Sequence, residues 1–454
     1  MLGIHGIGRD RADYYLSDLA RELPVAGPGR WAGSAAERLG LTGPVRADEF
    51  GRLLESRHPR SGVLLGSGRA SVAAFDLTFS APKSASVLFA LAGAEAAGAV
   101  VAVHDQAVAG SLSYLEQHAL TATRRSGPSR VVLPTSGAVA AVFTHGLSRN
   151  GDPHVHSHVV VANLVHGADG RWGACDRRSI AAHRQAAAAV YDAHLRAGLA
   201  KMLGVRWTGG PGHTAEVAGI GPELLGAFSS RGADIRRYMH ENAVDSGRGA
   251  RIAWAATRPP KTPGVPFADH EAVWRRRADD VGGRLELERH GGPGSRAVLD
   301  EHRFGGVLSL PAHGGAHRRD VVTAFGAAAR DGATAPVIDR LVAQWVPPGP
   351  IGVEEPLLQR RTVVPANHHL RALGPRPVDP DDHAVWLGAA RALDTYRDRW
   401  GLAHAKAPLG EPPNLAGLPA QRLADHIRTE REIATARARL GRREAAPPDR
   451  GLAR

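Results

Sequence analysis

Two stretches in the first third of the chain alternate hydrophobic and polar residues as strands do. Val72 to Phe79 is one, and Ser80-Ala81-Pro82-Lys83-Ser84 follows as the start of a helix. Val139 to His145 is the other, alternating around Val142, Phe143 and Thr144. A third strand is signalled by Val159-Val160-Val161, because β-branched runs fit a pleated surface. Ser148-Arg149-Asn150-Gly151-Asp152-Pro153 lies between the last two and is turn chemistry, so they predict a hairpin. Helical patterns cover Arg11 to Leu23, Ala85 to about Thr123 (one or two helices, closed by Thr123-Arg124-Arg125-Ser126-Gly127) and Ile180 to Leu203. Asp169-Gly170-Arg171-Trp172 reads as a turn.

Beyond about Gly282 the pattern changes. Residues 283–317 are linker-like, centred on His290-Gly291-Gly292-Pro293-Gly294-Ser295. Arg318 to Trp345, Asp381 to Trp400 and Leu418 to Arg443 then read as helices, giving a helical region over 318–443. The tail from Glu444, 444–454, has the composition of a disordered segment. No internal repeat is present. A length of 454 residues suits two or three domains with a real core.

Composition adds exclusions more than assignments. The single cysteine, Cys175, rules out a disulfide framework and a cysteine-based zinc site. No leader pattern and no long apolar run occur, which predicts a cytoplasmic protein without membrane insertion. The net charge of +12 permits a polyanionic partner such as nucleic acid. Only four of the 57 basic residues are lysines, so the charge also fits an arginine-rich compositional bias. No Gly-x-x-x-x-Gly-Lys-Ser/Thr is present, which argues against an ATP-driven motor in this chain.

The strongest chemical signal is Asp152-Pro153-His154-Val155-His156-Ser157-His158. With 23 histidines in 454 residues, roughly one His-x-His is expected by chance but only about 0.06 of a triplet. Strand alternation puts His154, His156 and His158 on one face. A turn centred near Asn150-Gly151 places His145 opposite His156, with Cβ atoms about 4.5–5.5 Å apart. Three neutral imidazoles with positions left open suit a catalytic divalent metal better than a closed structural site; half-exposed surface histidines are the alternative. Asp76 lies inside a strand, where a carboxylate needs a partner. It either accepts the far N–H of a metal-bound histidine or pairs with an arginine. Tyr14-Tyr15 is the one adjacent tyrosine pair; it is a packing pair unless the metal site lies near it. Tyr191 reads as core.

Taken in order, these residues resemble the relaxase domain of MobF (TrwC-like) conjugative relaxases, which belong to the HUH endonucleases. The match rests on Phe75-Asp76-Leu77-Thr78-Phe79-Ser80-Ala81-Pro82-Lys83-Ser84, Phe143-Thr144-His145 with Ser148-Arg149, Asp152-Pro153-x-x-His156-x-His158 and Asp169-Gly170-Arg171-Trp172. It continues through Phe228-Ser229-Ser230-Arg231 and His270-Glu271-Ala272-Val273-Trp274, so it spans Tyr14 to about Gly282. The resemblance implies an α+β fold: an antiparallel five-stranded sheet flanked by helices over 1–282, followed by the helical C-terminal region. It implies site- and strand-specific nicking and rejoining of single-stranded DNA at a plasmid transfer origin, through a 5′-phosphotyrosine. Carried onto this chain, His145, His156 and His158 hold one divalent ion (Mg, Mn or Zn), Asp76 orients a ligand, and Tyr14 is the nucleophile with Tyr15 beside it. His154 has no required role. Lys83, Arg124 and Arg149 become the expected phosphate contacts.

Two departures from the family are visible. The place of a second tyrosine pair is taken by Pro24-Val25, and the missing P-loop predicts that no helicase domain follows. The expected partners are therefore single-stranded transfer-origin DNA, a separate helicase and a type IV secretion coupling protein. Three other functions share some of these residues: a rolling-circle replication initiator, a non-catalytic origin-binding remnant, and a metal-dependent hydrolase of small substrates.

Overall fold

The computed structural model describes residues 2–8, 28–68, 70–126, 129–209, 215–242, 247–257, 267–288, 317–345, 368–373, 380–399, 409 and 420–444. Tyr14 and Tyr15 with their expected helix, residues 289–316 and the tail beyond 444 lie outside them. The chain divides into two compact units, 1–357 and 358–454.

The first unit is built on a five-stranded sheet of order β1-β3-β7-β6-β2. Its strands are β1 (Leu2–Gly8), β2 (Arg30–Ala32), β3 (Val72–Ser80), β6 (Ala140–Leu147) and β7 (Pro153–Ala162), paired antiparallel throughout. The expected five-stranded antiparallel sheet flanked by helices is therefore present. β6 and β7 form the hairpin read from the sequence, with Gly151 at φ 75° in its turn, a conformation that L side chains disfavour. β4 (Ala122–Ser126) and β5 (Ser129–Leu133) make a separate two-stranded ribbon. That corrects the reading of 123–127 as a helix end. Thr123-Arg124-Arg125 carries no apolar alternation, so only the pairing partner makes it a strand. β1 was not expected either: its glycines blur the alternation, and its register against Phe79 to Val72 of β3 defines it.

The two sheet faces are covered differently. Phe75, Leu77, Phe79, Val155, Val159 and Val161 turn toward helices α1 (Lys83–Leu91), α2 (Ala94–His118) and α3 (Arg184–Leu203) in the main core. The expected helical stretch 85–123 is thus α1 and α2, and 180–203 is a short turn of helix ending at Ala182 followed by α3. α2 and α3 approach closely at Gly198, where an added Cβ would meet a Val103 methyl at 2.4 Å. Ala74, Ala141, Val160 and Ala162 turn to the opposite face and a smaller core with Trp31, Phe50, Leu53 and Leu54.

Helices α4 (Ser230–Glu241) and α5 (Phe267–Asp280) follow, then α6 (Arg318–Ala328) and α7 (Ala335–Trp345). The last two were expected to form one region with 381–443, and the structure assigns them to the first unit instead. Val321, Val322, Phe325, Ile338 and Val342 join the main core. The buried Arg196 of α3 donates to the carbonyls of Gly326 (2.7 Å) and Ala329 (3.0 Å) at the end of α6, satisfying acceptors that a helix end leaves over. The beginning of the linker-like stretch is also tied down, since Glu286 N–H donates to Gly219 O at 3.1 Å. In the second unit α8 (Pro380–Arg399) packs on α9 (Ala420–Glu444) through Leu393, Ile433 and Ala436. Among the described residues no helix is long and apolar enough to cross a membrane.

Candidate metal centre

The hairpin register decides which histidines meet. His145 lies directly opposite His156, and His158 opposite Phe143 on one side and Thr78 on the other. One nitrogen from each of His145, His156 and His158 lies within 4.8 Å of the others. The ring centroids are 5.3–5.7 Å apart. All three rings are on the sheet face opposite the main helical core.

Hydrogen bonds on the far side of two rings fix which nitrogen can serve as ligand. His158 Nδ1 lies 2.8 and 3.0 Å from the Asp76 carboxylate oxygens. His156 Nδ1 lies 2.9 Å from the backbone carbonyl of His154. A carboxylate and a carbonyl can only accept, so both Nδ1 atoms carry a proton, which leaves Nε2 as the lone-pair nitrogen whenever the ring is neutral. This is the arrangement by which a carboxylate orients and polarises a metal-binding imidazole. Asp76, only 3 % exposed, sits behind His158 as that arrangement requires. A set of three imidazoles on rigid strands, with an acceptor behind two of the rings, fits one divalent cation with further positions for water or substrate oxygen.

His154 stands outside this group. Its ring stacks on His156 at 4.7 Å, and burial holds its pKa well below the ordinary value. Its contribution to the centre is the carbonyl that orients His156. The side chain was legible as one of three alternating histidines; the role of its backbone was not.

The basic residues expected at phosphate have other contacts. Arg124 forks onto Asp169 (2.8 and 3.1 Å) and donates to the Arg171 carbonyl at 2.7 Å, so it fastens β4 to the turn before Trp172. Lys83 Nζ donates to Pro153 O at 2.9 Å; burial lowers its pKa, opposed by Asp152 and Glu216. Both serve the frame of the site. Arg149 sits half-buried in the hairpin turn itself.

That turn is held by a residue whose importance the sequence did not reveal. Asp152 is 1 % exposed. Its carboxylate accepts from the Ser230 N–H (2.9 Å), the Ser230 hydroxyl (2.6 Å) and Arg277 Nη1 (2.7 Å). Trp274 Nε1 donates to Gly151 O at 2.8 Å, and Arg277 lies over the Phe228 ring. The motifs around 228–231 and 270–274 therefore act as a clamp on the hairpin that carries His145, His156 and His158. Nothing local in the sequence couples Arg277 to Asp152, which are 125 positions apart.

Comparison with known proteins gives this arrangement a family. Residues 7–281 match the family described as TrwC relaxase. The chain belongs to the TrwC relaxase family. It is 35% identical over 246 residues to the multifunctional conjugation protein TraI of Escherichia coli, and 40% identical over 167 residues to the protein of that name from strain K12. The matches cover 52% and 36% of this chain but only 13% and 9% of those proteins. Among TrwC relaxase structures, a metal-bound conjugative relaxase TrwC in complex with oriT DNA is similar with a TM-score of 0.58 at 28% identity. TrwC with a 27-mer DNA comprising the recognition hairpin and the cleavage site has a TM-score of 0.56 at 28% identity. Each comparison covers 63% of this chain and all of that one.

Proposed function

We propose that this chain nicks and rejoins single-stranded DNA at a transfer origin by metal-dependent transesterification, within a catalytic domain spanning about 1–282. The observation that carries the reading is the three-histidine centre with Asp76 behind it, on the central strands of a TrwC-family sheet. When bound, a divalent ion would supply Lewis-acid withdrawal of charge from the scissile phosphate; of Mg, Mn and Zn, an all-imidazole donor set favours Zn. Asp76 and the His154 carbonyl keep two ligand rings aimed. Lys83, Arg124 and Arg149 are the phosphate contacts of this reading.

The nucleophile in this reading is Tyr14, with Tyr15 beside it. A phenol oxygen attacks phosphorus, the bond to the 3′ oxygen breaks, and the phenol proton is lost as the 3′-hydroxyl is released. One ester replaces another, so the step needs no ATP and can be reversed by a 3′-hydroxyl. The partners that accompany this reading are transfer-origin DNA and, for transfer itself, a separate helicase and a type IV secretion coupling protein.

The test is incubation of the chain with end-labelled single-stranded DNA from its own replicon. A covalent adduct on a peptide containing Tyr14, abolished in Tyr14→Phe with metal content retained, is the expected result. An adduct on Tyr15 moves the nucleophile by one residue. Cleavage with no adduct would mean that water is the nucleophile and that the transesterase reading is wrong.

A further inference from the structure

The reverse side of the two ligand strands carries polar residues that the chemistry above does not use. Thr144 and Ser157 are cross-strand partners, so they lie back to back with the ligands: Thr144 precedes His145, and Ser157 stands between His156 and His158. Both are buried in the apolar layer between sheet and helices. Their hydroxyls are 2.8 Å apart. Ser157 Oγ also lies 2.8 Å from His104 Nε2, and His104 Nδ1 lies 2.7 Å from the Tyr191 hydroxyl. At the other end, Thr144 Oγ1 donates to Asp105 Oδ1 at 2.9 Å, and Asp105 lies 3.5 Å from Arg30 Nη2 of β2.

The proton positions of this chain follow from its ends. An ionised carboxylate only accepts, so the Thr144 hydroxyl gives its proton to Asp105 and must accept from Ser157. Ser157 then accepts in turn, which requires the proton of His104 to be on Nε2. His104 Nδ1 is left as an acceptor for Tyr191 O–H. Each hydroxyl proton and each ring nitrogen is used once, and the direction of every bond is set. His104 is fully buried, and desolvation lowers its pKa to about 3, so the neutral ring this order needs is the one present. A buried polar network is favourable only when every member is satisfied.

We propose that the Tyr191–His104–Ser157–Thr144–Asp105 chain is a positioning device for the metal centre. It locks β6 against β7 at the register that brings His145 to His156, and it ties both strands to α2 and α3. Apolar pairs such as Val142 with Val159 hold the strands together but fit equally well if one slides or twists slightly. Directed hydrogen bonds do not. Ser157 and Thr144 are thus positioning residues, acting through their ligand neighbours without touching metal or DNA.

This inference rests on the metal reading above, and the experiment separates the two. Zn²⁺ affinity is measured by competition with a chromophoric chelator for wild type, Thr144→Val, Thr144→Ser, Tyr191→Phe and, as a control, Leu112→Ala in the same helical core. Melting temperatures are measured alongside. Thr144→Val keeps the shape and removes the hydroxyl, so affinity should fall about tenfold, a loss typical of removing an orienting group. Thr144→Ser should restore it. Leu112→Ala should lower the melting temperature as much or more while leaving affinity unchanged. Tyr191→Phe breaks only the outermost link and should lower affinity by a smaller factor; it carries the test if Thr144→Val does not fold. Wild type binding no Zn²⁺ would overturn the metal reading itself. Wild-type affinity in Thr144→Val, or in Tyr191→Phe if that variant has to stand in, would overturn the positioning device alone. So would a loss in Leu112→Ala equal to that in Thr144→Val.

Discussion

Histidines on opposite faces of the same sheet have opposite fates. His104, behind the ligand strands, has one ring nitrogen on a tyrosine hydroxyl and the other on a serine hydroxyl. His156 and His158, in front, each have Nδ1 on an acceptor of fixed polarity, which directs Nε2 toward a shared point. Burial does not distinguish them well, since His145 is 2 % exposed and His104 is 0 %. The difference is in the partners. A histidine is placed to serve as a ligand where the fold supplies one acceptor and leaves the second nitrogen facing others like it.

The largest effect should come from the front face. His156→Ala is expected to remove most bound metal and nearly all nicking, read by elemental analysis and the labelled-DNA assay. Full metal content in that variant would remove His156 from the centre. Asp76→Asn retains the shape but replaces a charged acceptor by a neutral one, and a loss of about 10–100-fold in metal affinity is expected. Unchanged affinity would reduce Asp76 to a packing role.

The clamp on the hairpin turn should act on stability first. Arg277→Met leaves the buried Asp152 carboxylate with the Ser230 bonds and the nearby Lys83 charge, and because Arg277 is itself 35 % exposed the loss should be about 1–3 kcal/mol, that of one bond to a buried charged group. Urea unfolding measures it; a cost near zero would mean that the Ser230 bonds suffice.

The back face gives a pH dependence of known sign. His104 is lowered to about 3, and His118 and His183 to about 4, all chiefly by burial. Their unfolded values lie near 6.5, so between those limits the unfolded chain binds more protons. The stability these rings contribute is complete above about pH 6.5 and is lost as pH falls toward their folded values. At pH 5 each ring should contribute roughly 2 kcal/mol less than at neutrality. Melting temperature should therefore fall steadily below pH 6.5, and a flat profile down to pH 4.5 would contradict the buried neutral state. The smallest effect belongs to His154→Ala, which removes a stacked ring but keeps the carbonyl that holds His156. Metal affinity should change by less than about threefold; a complete loss would bring the His154 ring into the centre.

Much of this was legible beforehand because strand periodicity is local. Val139 to His145, the Asn150-Gly151 turn and the His-x-His-x-His run together dictated the hairpin, and the hairpin dictated that His145 faces His156. Asp76 was legible as a strand carboxylate in need of a partner, though not which partner. β1 and β2 were missed because glycine in one and brevity in the other erase the alternation. The β4–β5 ribbon was missed because its arginines resemble a helix end when no partner strand is in view. Arg124 was expected at phosphate, and the sequence did not show that a carboxylate 45 positions away also pairs with it.

The sequence by itself determined the three strands around the site, the turn and the chemical nature of the donor set, since these depend on side-chain identity and on spacing within a few residues. Tertiary structure alone decided which nitrogen of His104, His156 and His158 bears a proton, which arginine is tied up by a carboxylate, that Asp152 is a hub, and that residues 318–345 belong with the first unit. Each of those depends on groups brought together from distant parts of the chain. Hydrogen bonds and ion pairs act over a few ångströms, so pattern in one dimension can name the participants but only packing in three can choose the partners.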